Sequence, residues 1–393
     1  MRKATFTLVT LGLVTLVVVI ARNAALETPG RAVRDEWPGG LGPLDSVEER
    51  YPARARTEAA DELLRIAAAA GMSRETQRQG EADPVRDYVT AQMERDDRLI
   101  DPPSPELHAF LESHRETIST ARRHLLEAEE IAWEVEIERG ASAPVLDLIA
   151  SMGLSRLLTA SALVAARDGS AAAWNDLHAA WKVARSLWDH PELVSRLVAL
   201  AISRQVTAAS RQMPLPAPAW FDEVRYLDYR ERMGSAMQVS TWQMWRSFEE
   251  QKQDSRLHGS WLTRIADILW RDPLGSVVIA DSIEHQRETV RILMATRNCA
   301  SDGATMVRER TDAAAWWNPT ADMPMPNLIG AWQRLFRFRV ELELAEHALG
   351  LRSGSASDCA DAEWIAFDGG VRLSRDIPPS VPGHTAVPLV FRR

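Results

Sequence analysis

Carboxylates and histidines are the side chains here with the widest chemistry, because they act as general acids and bases and bind metal ions. A di-iron site in a helical bundle needs Glu three residues before His, and none of the nine histidines has a Glu there. His108, His114 and His124 point in three directions around one predicted helix, and no His-Glu-x-x-His occurs. Glu343 and His347 stand one turn apart, which alone is more typical of a surface contact than of a ligand set. The sequence therefore predicts no metal site and no cofactor.

Lysine is rare, and its positions argue against several enzyme classes. Lys3, Lys182 and Lys252 are the only lysines, and none stands in a Gly-Lys-Ser/Thr phosphate loop or a Ser-x-x-Lys site. The sequence also contains no Gly-x-Ser-x-Gly or Gly-x-Gly-x-x-Gly motif. We predict no catalytic residue from these patterns, although enzymes without such motifs exist.

The two cysteines, Cys299 and Cys359, do not have the spacing of a zinc site. If the body lies outside the cytoplasm, its oxidising surroundings allow these residues to form a disulfide between the helical region and the tail. The alternative is two free, buried thiols.

Net charge and size narrow the class of protein further. The formal charge of −9 and pI near 5.6 argue against nucleic acid as a partner, because phosphate binding needs a basic surface. With 393 residues, 46% of them hydrophobic, the chain can form a substantial core. We expect a folded protein that does not bind nucleic acid.

The N-terminal residues indicate a membrane anchor or an export signal. Arg2 and Lys3 precede an uncharged run over residues 4–21, which ends before Arg22. Eighteen residues lie near the lower limit for crossing a hydrocarbon core of about 30 Å. Val19-Ile20-Ala21 only loosely resembles a cleavage site, so we favour a retained anchor in the bilayer, with the body outside the cytoplasm. The alternative is cleavage, which would leave a secreted or periplasmic protein.

Phe6-Thr7-Leu8-Val9 and the apolar run that follows resemble the start of a type IV pilin or pseudopilin. Those proteins carry Gly before the Phe and Glu five positions into the mature chain, whereas Thr5 and Thr10 stand at these positions here. The resemblance covers this segment alone and implies a secretion component as a minor alternative.

The rest of the sequence predicts a mainly all-α fold built of antiparallel helical hairpins. We divide the chain into an anchor or signal (1–25), a Pro/Gly-rich linker (26–50), a helical domain (51–352) and a tail with a β-hairpin (353–393). Residues 337–344 alternate like a strand, but two Arg–Glu pairs four residues apart favour a helix. The predicted helices cover residues 54–72, 84–95, 105–139, 144–167, 170–188, 191–212, 219–253, 261–270, 274–297 and 327–351.

The predicted helix 105–139 carries an acidic face, and the tail has the pattern of a β-hairpin. Glutamates at 112, 116, 127, 130, 134 and 138 fall on one side of the predicted helix 105–139. Such a row could form a cation-binding edge, but it is more typical of a solvated face, which we favour. In the tail, residues 364–367 and 371–373 flank Asp368-Gly369, a pair that favours a hairpin turn. An additional edge strand is predicted over residues 387–391.

Trp174, Trp181 and Trp188 recur every seven residues and lie in one stripe along the predicted helix 170–188. An exposed stripe would form an aromatic surface for a partner. Indole rings beside an apolar face are more often part of the core, which we favour.

The segment from residue 153 to 193 resembles one tetratricopeptide-type helical hairpin, with Ala173, Leu177 and Ala180 near positions that this repeat fills with small or apolar residues. No copy recurs at a 34-residue period, so a repeat array is not predicted. Residues 171–204 are also similar to a loose group of uncharacterised bacterial proteins with an N-terminal hydrophobic segment and an Ala/Leu/Arg-rich helical body. That resemblance implies no activity.

The leading hypothesis is a membrane-anchored or exported helical protein that acts as a scaffold or interaction module at the cell envelope, with a protein partner there. The alternative is an envelope enzyme that uses Glu and His as acid and base in a pocket between helices.

Overall fold

Helices dominate the fold, as the spacing of the apolar residues predicts. The structure, a computed structural model, describes residues 30–72, 83–143, 146–253, 275–297, 328–375 and 389–392. Its α-helices of six residues or more are α1 (Glu58–Ala69), α2 (Pro84–Met93), α3 (Pro105–Ser113), α4 (Arg115–Glu127), α5 (Leu148–Arg167), α6 (Ala173–Trp188), α7 (Leu193–Ser210), α8 (Phe221–Tyr226), α9 (Tyr229–Gln253), α10 (Gly275–Ala295) and α11 (Leu328–Ala348). The mainly all-α prediction is confirmed, while the predicted helix 261–270 lies outside the described residues.

Several helices begin at a capping side chain. Thr57 accepts a hydrogen bond from the first turn of α1, and Asp83 and Ser104 do the same for α2 and α3. Pro84 and Pro105 occupy the first helical positions, where a missing N–H needs no partner. These two predicted starts are confirmed, whereas the start predicted at residue 54 lies before the cap.

Helices α5, α6 and α7 form the centre of the body. α5 and α6 form a hairpin around the turn at Gly169, whose φ of 73° suits glycine. Buried alanines at their contacts let the helices approach closely. Gln205 on α7 donates to the hydroxyls of Ser155 and Thr159 on α5, so these three buried polar side chains are paired with one another.

Helix α5 is the one described helix that is long and apolar enough to cross a membrane. It contacts α6, α7, α2 and α1, and 61% of its most apolar window is buried inside the body. Its hydropathy is therefore that of a core helix. The predicted anchor, residues 4–21, lies outside the described residues.

The predicted helix 105–139 is wrong beyond Glu127. It is interrupted at His114 and ends at Glu127, after which Val135 pairs with Arg54 through two backbone hydrogen bonds of 2.8 and 2.9 Å. Trp133, Val135 and residue 137 are all buried, so the apolar residues alternate with period two, as in a strand. The glutamates at 130, 134 and 138 do not continue the helix face that holds those at 112 and 116. The prediction of one acidic face along residues 112–138 is therefore also wrong.

The predicted linker needs a correction as well. Residues 36–37 and 42–43 form a small antiparallel pair, β1 (Glu36–Trp37) and β2 (Gly42–Pro43), and Trp37, Leu41 and Leu44 are buried. The prolines and glycines make turns between these apolar anchors rather than a free spacer. The chain is folded onto the body from Gly30 onward.

The tail forms a three-stranded antiparallel sheet in the order β3 (Trp364–Phe367), β4 (Gly370–Leu373) and β5 (Val390–Arg392). Asp368-Gly369 joins β3 to β4, as predicted, with φ of 83° at Gly369. A separate apolar cluster packs this sheet against α11, which is helical through residues 337–344 as expected.

Candidate functional site

The tryptophan stripe is part of the core, which corrects the idea of an aromatic surface. Trp174, Trp181 and Trp188 are 7%, 0% and 0% exposed. Their N–H groups donate to the carbonyl oxygen of Pro214 at 2.8 Å, to Glu223 at 3.2 Å and to Ser203 at 2.9 Å, respectively. Each indole is thus buried with its one donor satisfied, as expected of structural tryptophans.

The predicted disulfide is only partly within the described residues. Cys359 is buried beside α11, and its sulfur is in a disulfide. Cys299 lies outside the described residues, so the pairing of these two residues stays a prediction.

An open cavity of about 380 Å³ lies on the surface of the described part of the chain. One wall comes from β1 and the turn after it, and the other comes from one face of α10. Gly39 makes the close packing of that turn feasible, because an added Cβ would lie 2.3 Å from the Met294 side chain. The lining residues are Asp35, Glu36, Trp37, Pro38, Glu284, Arg287, Glu288 and Arg291.

Ion pairs organise the charged wall of the cavity. Arg287 bonds Asp35 across the cavity at 2.8 Å and also pairs with Glu284 on its own helix. Arg291 donates to Glu288 at 2.6 Å. Burial lowers the pKa of Arg287, but its bonds to Asp35 and Glu284 outweigh this, and the net shift is upward. Both guanidinium groups are therefore fixed as cations.

The lining is suited to recognition rather than to acid–base chemistry. It includes no histidine, serine, cysteine or lysine among the described residues, and three of its four carboxylates are paired with arginine. Four carboxylates against two guanidinium groups leave a formal charge of −2. Trp37, at 2% exposed, gives the cavity an apolar, rigid wall.

A second cluster with Glu and His side chains lies around His178. Its ring stacks on Trp220 with 4.5 Å between centroids, and its buried Nε2 has no hydrogen-bond partner in the described part of the chain. Glu223 accepts from Trp181 and lies 3.8 Å from the ammonium of Lys182, but not in hydrogen-bond contact with His178. Burial and the charge of Lys182 lower the pKa of His178 to about 4. This neutral, stacked imidazole stabilises packing and lacks the geometry of an acid–base pair.

The sequence analysis missed the cavity. The spacing of residues 284, 287, 288 and 291 places them on one face of α10, a signal that was present within the predicted helix 274–297. The second wall could not be found, because residues 35–38 fell within a predicted linker. Pairing of Asp35 with Arg287 joins positions 252 residues apart.

No group of three or more His, Cys, Asp or Glu residues within the described ranges is arranged to hold a metal ion. Comparison with protein-family models, with curated proteins and with solved structures gives no match to this chain.

Proposed function

We propose that this chain is a helical interaction module of the cell envelope, either anchored by residues 4–21 or exported, and that its cavity docks a positively charged segment of a partner protein. The role follows from the hydrophobic N-terminal run and from the lack of catalytic motifs in the sequence. The cavity supplies a place where such a partner can bind.

The charge of the cavity carries the proposal. Asp35 and Glu284 share Arg287, and Glu288 pairs with Arg291. Glu36 is exposed and forms no ion pair within the described part of the chain. A lysine or arginine side chain entering beside Glu36 would gain a charge-assisted contact, and the Trp37 wall would exclude water from one side.

The position of the cavity in the chain also supports a role at the membrane. Residues 22–29 separate the apolar run from the folded body, and eight extended residues reach at most about 28 Å. Asp35 and Glu36 follow directly after. If the anchor is retained, the N-terminal part of the body stays close to the headgroup region, where a partner in the same membrane can reach it.

Peptide binding tests the proposed docking site. A labelled peptide alternating alanine and arginine should bind the full chain at low ionic strength, and a peptide with glutamate in place of arginine should not. Glu36→Arg should weaken binding of the arginine peptide about fivefold, because it reverses one charge at an exposed site. Fluorescence anisotropy measures both affinities.

Glu363→Arg is the matched control, since Glu363 is exposed on the tail and the substitution changes the net charge equally. Equal losses in the two variants would mean that the attraction is non-specific, and the docking site would be abandoned. Equal affinity for the two peptides would have the same consequence.

The two alternatives have less support. An acid–base enzyme needs Glu and His in contact, and the His178 cluster lacks that contact. The pilin-like alternative rests on residues 5–10, which lie outside the described residues.

A further inference from the structure

Three arginines from three helices surround one short segment of the tail. Arg230 lies in the first turn of α9, Arg297 follows the end of α10, and Arg339 lies on α11. Arg339 donates to the carboxylate of Asp358 at 2.9 Å, and the carbonyl of Arg297 accepts from the N–H of Ala360 at 3.0 Å. Residues 358–360 of the tail therefore contact the side chain of Arg339 and the main chain of Arg297.

Arg230 has no carboxylate partner among the described residues. Its guanidinium lies 5.1 Å from the centroid of the Phe336 ring, and it forms no hydrogen bond or ion pair with any described residue. By contrast, Arg204, Arg225 and Arg352 each bind a carboxylate. The Phe336 ring holds the guanidinium plane while leaving its N–H groups without a protein acceptor.

The carboxylates close to these arginines are already in use. Asp358 is bound by Arg339, and Asp228 accepts the N–H of Glu231 at 2.9 Å as the cap of α9. Burial lowers the pKa of Arg230, and the charges of Arg297 and Arg339 lower it further. These like charges repel one another, and a bound anion would relieve that repulsion.

We propose that Arg230 and Arg297, with Arg339 beside them, form a binding site for a phosphate group, carried either by a soluble molecule or by a lipid headgroup. The planar fork of arginine binds two phosphate oxygens at once, and several guanidinium groups together can satisfy the several acceptors of one phosphate. Arg297 is exposed, so the ligand can enter from solvent. This site is separate from the proposed docking cavity, and either can be wrong without the other.

Two probes identify the source of the phosphate. Inorganic phosphate is titrated into the full chain by calorimetry, and sedimentation is measured with vesicles of phosphatidylcholine alone or mixed with phosphatidylglycerol. Vesicle sedimentation is compared among variants that all carry the same N-terminal run, so any binding of that run to the vesicles is the same in each variant. Binding of free phosphate indicates a soluble ligand, and a gain that depends on phosphatidylglycerol indicates a headgroup.

Arg230→Gln and Arg297→Gln should each weaken binding at least about tenfold, measured with whichever probe binds the unmodified chain. Arg372→Gln, at an exposed arginine on β4, should bind like the unmodified chain. Arg297→Gln keeps the test decisive if Arg230→Gln fails to fold, because Arg297 is exposed. The site would be disproved if neither probe bound, if Arg297→Gln bound normally, or if Arg372→Gln lost as much affinity.

Discussion

Glu343 links the tail to the helical body, and its replacement should release the tail. Its side chain is almost completely buried on α11. It accepts hydrogen bonds from the hydroxyl of Ser357 at 2.7 Å, from the indole N–H of Trp364 at 2.7 Å and from the backbone N–H of Asp358. Arg352 lies 3.5 Å from the same carboxylate. One side chain thus satisfies three donors from the tail.

The size of the effect follows from the donors that would lose their acceptor. Glu343→Ala leaves the Trp364 indole N–H buried without a partner, and a buried unsatisfied donor costs roughly 1–3 kcal/mol. The N–H of Asp358 is partly buried and adds a smaller cost, whereas the hydroxyl of Ser357 can rotate to another acceptor. We expect a loss of about 3 kcal/mol in the free energy of unfolding. Glu343→Gln keeps one acceptor oxygen and should lose about half as much.

Urea unfolding, followed by circular dichroism, measures these losses. Glu116→Ala serves as the control, because Glu116 is exposed on α4 and should change stability by less than about 0.5 kcal/mol. If Glu343→Ala lost no more stability than this control, the three hydrogen bonds would not hold the tail, and the reasoning from buried donors would fail.

The pH dependence gives a second test of the same carboxylate. Burial raises the pKa of Glu343 above its ordinary value of 4.5, although bonds from Ser357 and Trp364 act in the opposite direction. Because the pKa of Glu343 is higher in the folded than in the unfolded protein, folding favours the protonated carboxyl. Its contribution to the free energy of unfolding is therefore complete below pH 4.5 and declines as pH rises through the folded-state pKa. Glu343→Gln cannot titrate and should lack this decline. Identical pH profiles for the two proteins would contradict a raised pKa.

Three further predictions concern the tail and the anchor. Truncation after Leu351 would uncover Val340, Leu344 and Ala348 on α11 and should lower Tm by roughly 5–10 °C, whereas an unchanged Tm would show that the sheet adds no stability. Cys359→Ser should cost about 2–5 kcal/mol in urea unfolding, and dithiothreitol should lower the stability of the unmodified chain but not of the variant. In spheroplasts, the full-length chain with a C-terminal tag should sediment with membranes and lose its tag to added protease. A protected tag would contradict the predicted orientation. A soluble, shortened chain would mean that the N-terminal run is cleaved.

Sequence periodicity predicts the helices well where a single face is buried for several turns. The proline starts at 84 and 105 and the Asp368-Gly369 turn also follow from local chemistry, because fixed φ values and missing donors act within a few residues. The region after Glu127 was misassigned because a short alternation at 133, 135 and 137 lies beside a long helical pattern. Its extended form depends on pairing with Arg54, about 80 residues earlier, which no local pattern reveals.

The candidate sites were harder to predict, for a related reason. A tryptophan stripe is visible in the sequence, but whether it is exposed depends on what packs against it, and Trp174 meets a carbonyl 40 residues away. The prolines and glycines on both sides of Trp37 predict a linker, but in the structure they only shape the turns between buried side chains. Local chemistry predicts how a segment bends, whereas its burial depends on partners that are distant in the sequence.

Helix α10 connects the two proposed binding sites. Glu284, Arg287, Glu288 and Arg291 line one wall of the cavity, whose formal charge of −2 comes from Asp35 and Glu36 on the other wall, and Arg297 follows shortly after α10 ends. The negatively charged cavity and the proposed basic site are therefore both close to α10, although the whole chain carries a charge of −9. A surface of one charge would attract any oppositely charged partner from a distance. Neighbouring patches of opposite sign instead favour a partner whose own positive and negative groups are arranged to face them. Such a pattern supports selective recognition, because a purely basic or purely acidic partner would be repelled by one of the two surfaces.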